Sequence, residues 1–322
     1  METNKNVIFF GNGLNRVSEG LDWGKLIKEV SGPDYIEGLS NTQLYDIAFL
    51  RNKLKYEGDS SVSPEEKKFK KGLADKIIKS LKSTQISEIY QKLAAMPVED
   101  YITTNYDYCL EAALKANGYD NPTESEKEKY KLIPYIKEST YSLHRCHAFI
   151  KKYGVEDKIK KIWYIHGEAN KPASIMLGYN QYGSTLGRMA DYHDGKDLYK
   201  SLSTLQERLL SLTTNEPKSW IDLFYSKNIY IIGYGLDNAE IDIWWLLGNR
   251  ARMSQNRRLP HINFYEKGSM DKQLVAKQKA LAAFGVTTNI KSLLKTEENE
   301  INKVYAEYYL ETLEAINKTI KL

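Results

Sequence analysis

Short apolar runs punctuate the chain at residues 7–10, 101–104, 162–165, 174–177, 229–232, 262–265 and 286–290. Each is bounded by glycine or other turn-forming residues, the pattern of strands. Several are apolar at successive positions, which predicts strands buried on both faces between layers of helix. Stretches with helical spacing separate them: 110–116 follows the second run, 239–252 the fifth and 271–284 the sixth. This alternation predicts an α/β domain built on a mainly parallel sheet.

The spacing is uneven. About ninety residues part the first run from the second, far more than one crossover helix needs. Within them 23–30, 41–56, 64–81 and 86–96 read as helices, so a helical insertion is expected over about 23–96. Polar, helix-rich stretches at about 122–160 and 187–215 are expected to join it as a cap beside the sheet, all within one domain, 1–322. The run Glu65-Glu66-Lys67-Lys68-Phe69-Lys70-Lys71 reads as a solvated helix face, or else as a partner surface. Ile301, Val304, Tyr305, Tyr308, Ile316 and Ile320 recur at roughly helical spacing and predict a long helix over about 297–322. It would pack on the parent domain or form a subunit interface.

Composition narrows the class. The chain has 322 residues, 42% apolar and 27% charged, with a formal net charge of +4. That charge is too small to suggest nucleic acid as the main partner. No apolar stretch reaches the length of a membrane span, and the N-terminal run is too short for a signal-peptide core. A reduced, cytoplasmic, soluble protein is expected. There are two cysteines, Cys109 and Cys146, and no CxxC pair. Cys109, His144, Cys146 and His147 match no common zinc spacing, so no metal is expected.

Four strand-end motifs carry candidate chemistry. Gly11-Asn12-Gly13-Leu14-Asn15 follows the first run; its glycines could let backbone approach a phosphate, or simply form a tight turn. Thr103-Thr104-Asn105-Tyr106-Asp107 ends the second, where open α/β sheets place ligands, although Asn and Asp also cap helices. His166-Gly167 ends the third; the histidine is a general-base candidate or a structural residue, and the glycine leaves room beside its ring. Gly233-Tyr234-Gly235-Leu236-Asp237 ends the fifth, with Asp242 five residues on; it could admit a pyrophosphate or ribose, or be a plain turn.

Taken in this order, the motifs resemble the sirtuin family, whose strand ends carry Gly-Ala-Gly, Thr-Gln-Asn-(Ile/Tyr)-Asp, His-Gly and a glycine-containing turn. They are more similar to the sirtuin-like domains of bacterial anti-phage defence proteins, where Gly-Asn-Gly-x-Asn precedes a tryptophan, matched by Trp23. The segment after His-Gly, residues 174–177 with Gly178 and Tyr182, also fits that subgroup. The resemblance spans about residues 7–290. It implies a Rossmann-like, mainly parallel sheet of sirtuin type with helical insertions.

It also implies binding of NAD and cleavage of its nicotinamide–ribose bond, giving nicotinamide and ADP-ribose. Asn105 would orient water or ribose and His166 would act as base. Gly11, Asn12, Gly13, Asn15, Thr104, Asp107, Gly233, Tyr234, Gly235 and Asp242 would bind NAD. The four-cysteine zinc module of sirtuin deacylases is absent, and Thr104 stands where they carry Gln. The expected function is therefore a triggered, NAD-depleting hydrolase of anti-phage defence, acting as a homo-oligomer or with a separate activating or sensor protein. A non-catalytic NAD- or nucleotide-binding subunit is the alternative, followed by a deacylase or ADP-ribosyltransferase.

Overall fold

The computed structural model describes residues 5–17, 26–28, 35–51, 64–81, 87–132, 140–154, 156–211, 217–255, 258–293 and 300–321. Trp23, the end of the helix expected over 41–56 and the start of the tail lie outside the described residues. Strands β1 (Asn6–Phe10), β2 (Asp100–Thr103), β3 (Cys146–Lys151), β4 (Lys158–Tyr164), β5 (Asn228–Ile232), β6 (Ile262–Gly268) and β7 (Val286–Ser292) form one sheet. Its order is β3-β4-β2-β1-β5-β6-β7. Every neighbouring pair is parallel except the edge strand β3, which runs antiparallel to β4.

Around the sheet lie α1 (Asn41–Arg51), α2 (Pro64–Leu81), α3 (Glu88–Ala95), α4 (Cys109–Ala116), α5 (Glu124–Lys129) and α6 (Tyr179–Asp194). They are followed by α7 (Leu205–Ser211), α8 (Trp220–Ser226), α9 (Ile241–Ser254), α10 (Lys272–Ala283) and α11 (Ile301–Lys321). β1 explains the two-sided core. Its side chains alternate between faces. Val7 and Phe9 enter a layer with Trp220, Phe224 and Leu246, while Ile8 and Phe10 enter one with Ile89, Leu93, Leu114 and Leu313. Each such fully buried apolar side chain contributes roughly 1.5–3 kcal/mol, so an unbroken apolar strand is stable only between two layers. The tail helix α11 belongs to the second layer through Tyr308, Tyr309, Leu313 and Ile316.

A third cluster sits at the carboxyl edge of the sheet. Leu44 and Tyr45 of α1 and Leu73 and Ile77 of α2 pack with Tyr106, Ala169, Ile175 and Leu177 from the turns after β2 and β4. The helices between β1 and β2 thus hold the turns that carry Asn105 and His166.

The structure departs from the sequence pattern in four places. Residues 174–177 are not a strand: Pro172–Ser174 form a 3-10 turn, and the Met176 amide donates to the His166 carbonyl at 2.9 Å. Ile175 and Leu177 are apolar because they pack beneath the inserted helices, not because they lie in the sheet. β3 falls inside the stretch expected to be helix-rich. It is an edge strand that carries His147 and Lys151 among its apolar residues, and charge at a sheet edge blunts further pairing. α6 begins at Tyr179, ahead of the expected 187. Lys70, expected on a solvated face, is fully buried; its ammonium reaches Tyr141 Oη at 3.0 Å and Glu66 at 3.2 Å. Burial lowers its pKa to about 8, against the pull of Glu66.

Candidate active site

Strand register places the four motifs side by side. Phe10 pairs with Thr103 and with Ile232, and Thr103 pairs with Tyr164. The turns starting at Gly11, Thr104, Ile165 and Gly233 therefore leave the same edge of four adjacent strands. This is where ligands bind in open α/β sheets.

Two of these turns touch each other. The Gly13 amide donates to the Gly233 carbonyl at 2.7 Å, and the Gly11 amide donates to Ile232 at 3.2 Å. A Cβ on Gly13 would stand 2.7 Å from that carbonyl oxygen and 2.6 Å from the Tyr309 hydroxyl of α11. The glycines are required by this turn-to-turn contact, and both amides are engaged within the fold. Tyr234 stacks on Phe9, with centroids 4.7 Å apart. Gly235 is exposed; its carbonyl accepts from Lys277 Nζ at 2.9 Å, and nothing lies within 4 Å of where its Cβ would be.

Asn105 is buried just past β2. Its amide hydrogen-bonds Thr103 Oγ1 at 3.0 Å, and its Nδ2 donates to Tyr90 Oη at 3.3 Å. Its Oδ1 is buried without a hydrogen-bond partner among the described residues. Asn12, Asn15 and Asp107 come together beside it: Asn15 Nδ2 donates to Asn12 Oδ1 at 2.6 Å and to Asp107 Oδ2 at 2.7 Å. Asp107 also accepts the Cys109 amide at 2.9 Å from its place just before the Tyr108 N-cap of α4, so it serves the turn into that helix as well as the network. Thr104 is buried next to them.

His166 is buried past β4, its ring edge-on to Tyr182 at 5.4 Å. Its Nε2 lies 2.9 Å from Asp242 Oδ2 of α9. Asp242, expected among the NAD-binding groups, is fully buried and serves as the partner of this histidine. An acceptor at Nε2 fixes the Nε2–H tautomer of the neutral ring and leaves Nδ1 with the lone pair. No described residue hydrogen-bonds Nδ1. Burial opposes charge on the ring, but Asp242 and then Glu240 outweigh it and raise the pKa. Gly167 is fixed by the turn itself: its φ is +99°, and a Cβ would stand 2.2 Å from the Ser174 carbonyl oxygen. Its reason is backbone geometry, not the space beside the ring expected from the sequence.

Two residues of the site escaped the sequence reading. Tyr90, on the amphipathic α3, reads as an ordinary core aromatic. Glu240 precedes α9, and its Oε2 accepts the Asp237 amide at 2.7 Å. Burial of its carboxyl raises its pKa to about 7, with His166 pulling down and Asp242 pushing up. An acidic residue beside a glycine turn was the only signal.

A second histidine lies close by in the chain but outside this edge. His147 Nδ1 is 2.7 Å from Glu111 and its Nε2 is 3.2 Å from Glu168. Glu168 also contacts Arg145 at 3.4 Å, Lys171 at 3.2 Å and the Tyr108 hydroxyl at 3.0 Å. The two cysteines are free, and among the described residues no trio of His, Cys, Asp or Glu is arranged to hold a metal ion. No helix among them is long and apolar enough to cross a membrane.

A family profile for the SIR2-like domain matches residues 99–287, which takes in three of the four turns and more than half of the chain. The chain belongs to the SIR2-like family. Its sheet of mainly parallel strands with helices on both faces is the Rossmann-like, sirtuin-type fold expected from the motifs. The NAD(+) hydrolase ThsA of Enterococcus faecium is 27% identical over 150 residues, 45% of this chain and 28% of that protein. The SIR2-like chain thus matches little more than a quarter of that relative's length.

Proposed function

We propose that this SIR2-like chain hydrolyses NAD to nicotinamide and ADP-ribose. The observation that carries the reading is a pair of atoms on adjacent strand ends, Asn105 Oδ1 and His166 Nδ1, each without a protein partner among the described residues. In the reaction the C1′–N bond breaks, nicotinamide leaves with the electron pair, and the ribose takes on oxocarbenium character, as in other glycoside cleavages. A water oxygen then bonds to C1′, and its proton passes to His166 Nδ1. Asn105 Oδ1 accepts a hydrogen bond from that water or from a ribose hydroxyl and faces the developing positive charge with its negative end. Asp242 holds the imidazole and stabilises the imidazolium once it forms.

Asn12, Thr104 and Tyr234 line the same edge and support NAD binding there, while Asn15 and Asp107 are engaged with each other beside Asn105. With the Gly11 and Gly13 amides engaged, the pyrophosphate is held by other groups on these turns. We further propose that the chain is an NAD-depleting effector of anti-phage defence, restrained in a single domain until self-assembly or a separate sensor protein activates it. The name of the Enterococcus faecium relative supports hydrolysis as the chemistry.

The test is chromatography of NAD and its products with the chain alone, at rising protein concentration, and with proteins encoded beside it. Stoichiometric nicotinamide and ADP-ribose support the reading. Bound but intact NAD under every condition would favour a binding subunit instead.

A further inference from the structure

A chain of hydrogen bonds links Asp107 to Asn105, and its direction is set at one end. Asp107 accepts the Cys109 amide with Oδ1, and a carboxylate has no proton to give at Oδ2. The group 2.7 Å from Oδ2 must therefore donate, which makes it Asn15 Nδ2. The other end of that amide, Asn15 Oδ1, faces Tyr90 and takes its hydroxyl proton at 2.6 Å. Burial holds the Tyr90 phenol well above its usual pKa, so the proton stays. A hydroxyl has one proton, and with it committed to Asn15 the Tyr90 oxygen can only accept from Asn105. It meets Asn105 Nδ2 at 3.3 Å. What remains is Asn105 Oδ1, buried and without a partner among the described residues.

We propose that Asp107, Asn15 and Tyr90 are positioning residues that hold Asn105 with its carbonyl oxygen, and not its amide nitrogen, toward the reacting substrate. The inference rests on the assignment of Asn105 in the proposed reaction. The two ends of an asparagine amide have nearly the same shape, so packing alone does not choose between them. The choice matters chemically: the oxygen accepts from water and stabilises a cationic ribose, whereas the nitrogen would point partial positive charge at it. All four side chains are buried, where such bonds are strengthened and mutually polarised.

Two isosteric variants probe the chain differently. Asp107→Asn can keep its carbonyl on the Cys109 amide and turn its NH2 group to Asn15. Asn15, Tyr90 and Asn105 then reverse in sequence, and Asn105 presents nitrogen. Tyr90→Phe keeps the ring that meets Phe10 edge-on and leaves Asn105 free to flip. In both, kcat for nicotinamide release is expected to fall about tenfold or more while the KM for NAD stays within about threefold, the mark of a lost transition-state interaction.

Neutron diffraction from deuterium-exchanged wild-type crystals reads the orientation without reference to activity. Deuterons on the Asn105 end nearest Tyr90 support the proposal, and deuterons on the opposite end overturn it. Unchanged kcat in folded Asp107→Asn and Tyr90→Phe proteins also overturns it. If the wild type releases no nicotinamide, the proposed function fails while the neutron map still decides the orientation.

Discussion

Two histidines, His147 half-buried within β3 and His166 buried just past β4, have been given opposite capacities by their neighbours. His147 has a glutamate at each ring nitrogen, at 2.7 and 3.2 Å. Burial works against its charge, yet the two glutamates raise its pKa to about 9. It is a fixed cation in a brace that ties β3, α4 and the turn after His166 together. His166 has a carboxylate at one nitrogen only, and its other nitrogen has no partner among the described residues. A histidine with both nitrogens engaged has no lone pair to offer. One with a single carboxylate partner is an oriented base. An acidic neighbour and a pKa raised against desolvation are common to both, so neither property separates a site from a scaffold; the count of engaged nitrogens does.

The largest effect expected from this contrast is on catalysis. His166→Ala and Asn105→Ala should each lower nicotinamide release by about 10²–10⁴, the usual cost of removing an acid–base or charge-stabilising group, with circular dichroism showing the fold retained. His147→Gln, by contrast, should retain most of the activity. An equal loss of activity in the His147 and His166 variants would break the comparison.

Asp242→Asn comes next. In the proposed reaction His166 must be neutral to accept a proton, and Asp242 holds its pKa above the ordinary value, so the wild-type rate should rise with pH through a pKa above about 6.5. Removing the carboxylate charge should move that rising limb to lower pH and reduce the plateau. Glu240→Gln removes a second carboxylate near the same ring and should move the limb in the same direction by less. A pH profile unmoved in both variants would separate the carboxylates from the chemistry.

The brace should show itself in stability. The His147 pKa is raised in the folded state, so its contribution is complete below about 6.5 and is lost as pH rises through about 9. Glu168 behaves oppositely: burial raises its pKa, but His147, Lys171 and Tyr108 outweigh that and lower it to about 2. Its contribution is present above about 4.5 and is lost as pH falls through about 2. His147→Gln should cost about 1–3 kcal/mol near neutral pH, moderated because Arg145 and Lys171 still face Glu168 and His147 is partly exposed. Denaturant unfolding across the pH range checks this, with the deficit shrinking on the alkaline side.

The smallest effect is expected at a glycine. Gly235→Ala should change stability by no more than about 0.5 kcal/mol, because nothing surrounds its Cβ position. Gly167→Ala should be far more costly, since its backbone is left-handed and a Cβ would overlap the Ser174 carbonyl. Thermal melts of the two variants compare them directly.

The same contrast explains what was legible in the sequence. β1 and β5 announce themselves because both of their faces are buried and unbroken apolar runs record that, whereas β2 is marked by Tyr101 and Ile102 alone. β3 is hidden because an edge strand needs only one apolar face, and its charges serve other partners. Residues 174–177 mislead because burial beneath inserted helices leaves the same apolar signature as a sheet. Asn105 and His166 are visible because a polar residue that directly follows a buried strand must have a partner or a task. The partners themselves are not visible: Asp242 lies 76 residues from His166, and Tyr90 lies 75 from Asn15. Such pairings exist only once the strand order is known. Tyr90 is further disguised by the helix pattern around it, which accounts for its burial without its hydroxyl.

The central claim is that water attacks C1′ of NAD at the edge shared by Asn105 and His166. Incubating the protein with NAD in ¹⁸O-labelled water, under its most active condition, and analysing the products by mass spectrometry tests this directly. The account predicts nicotinamide and ADP-ribose in equal amounts, one heavy oxygen on the anomeric carbon of the ADP-ribose, and no product from folded His166→Ala. Nicotinamide released at the wild-type rate by that variant, or ADP-ribose whose new oxygen does not come from water, would contradict it.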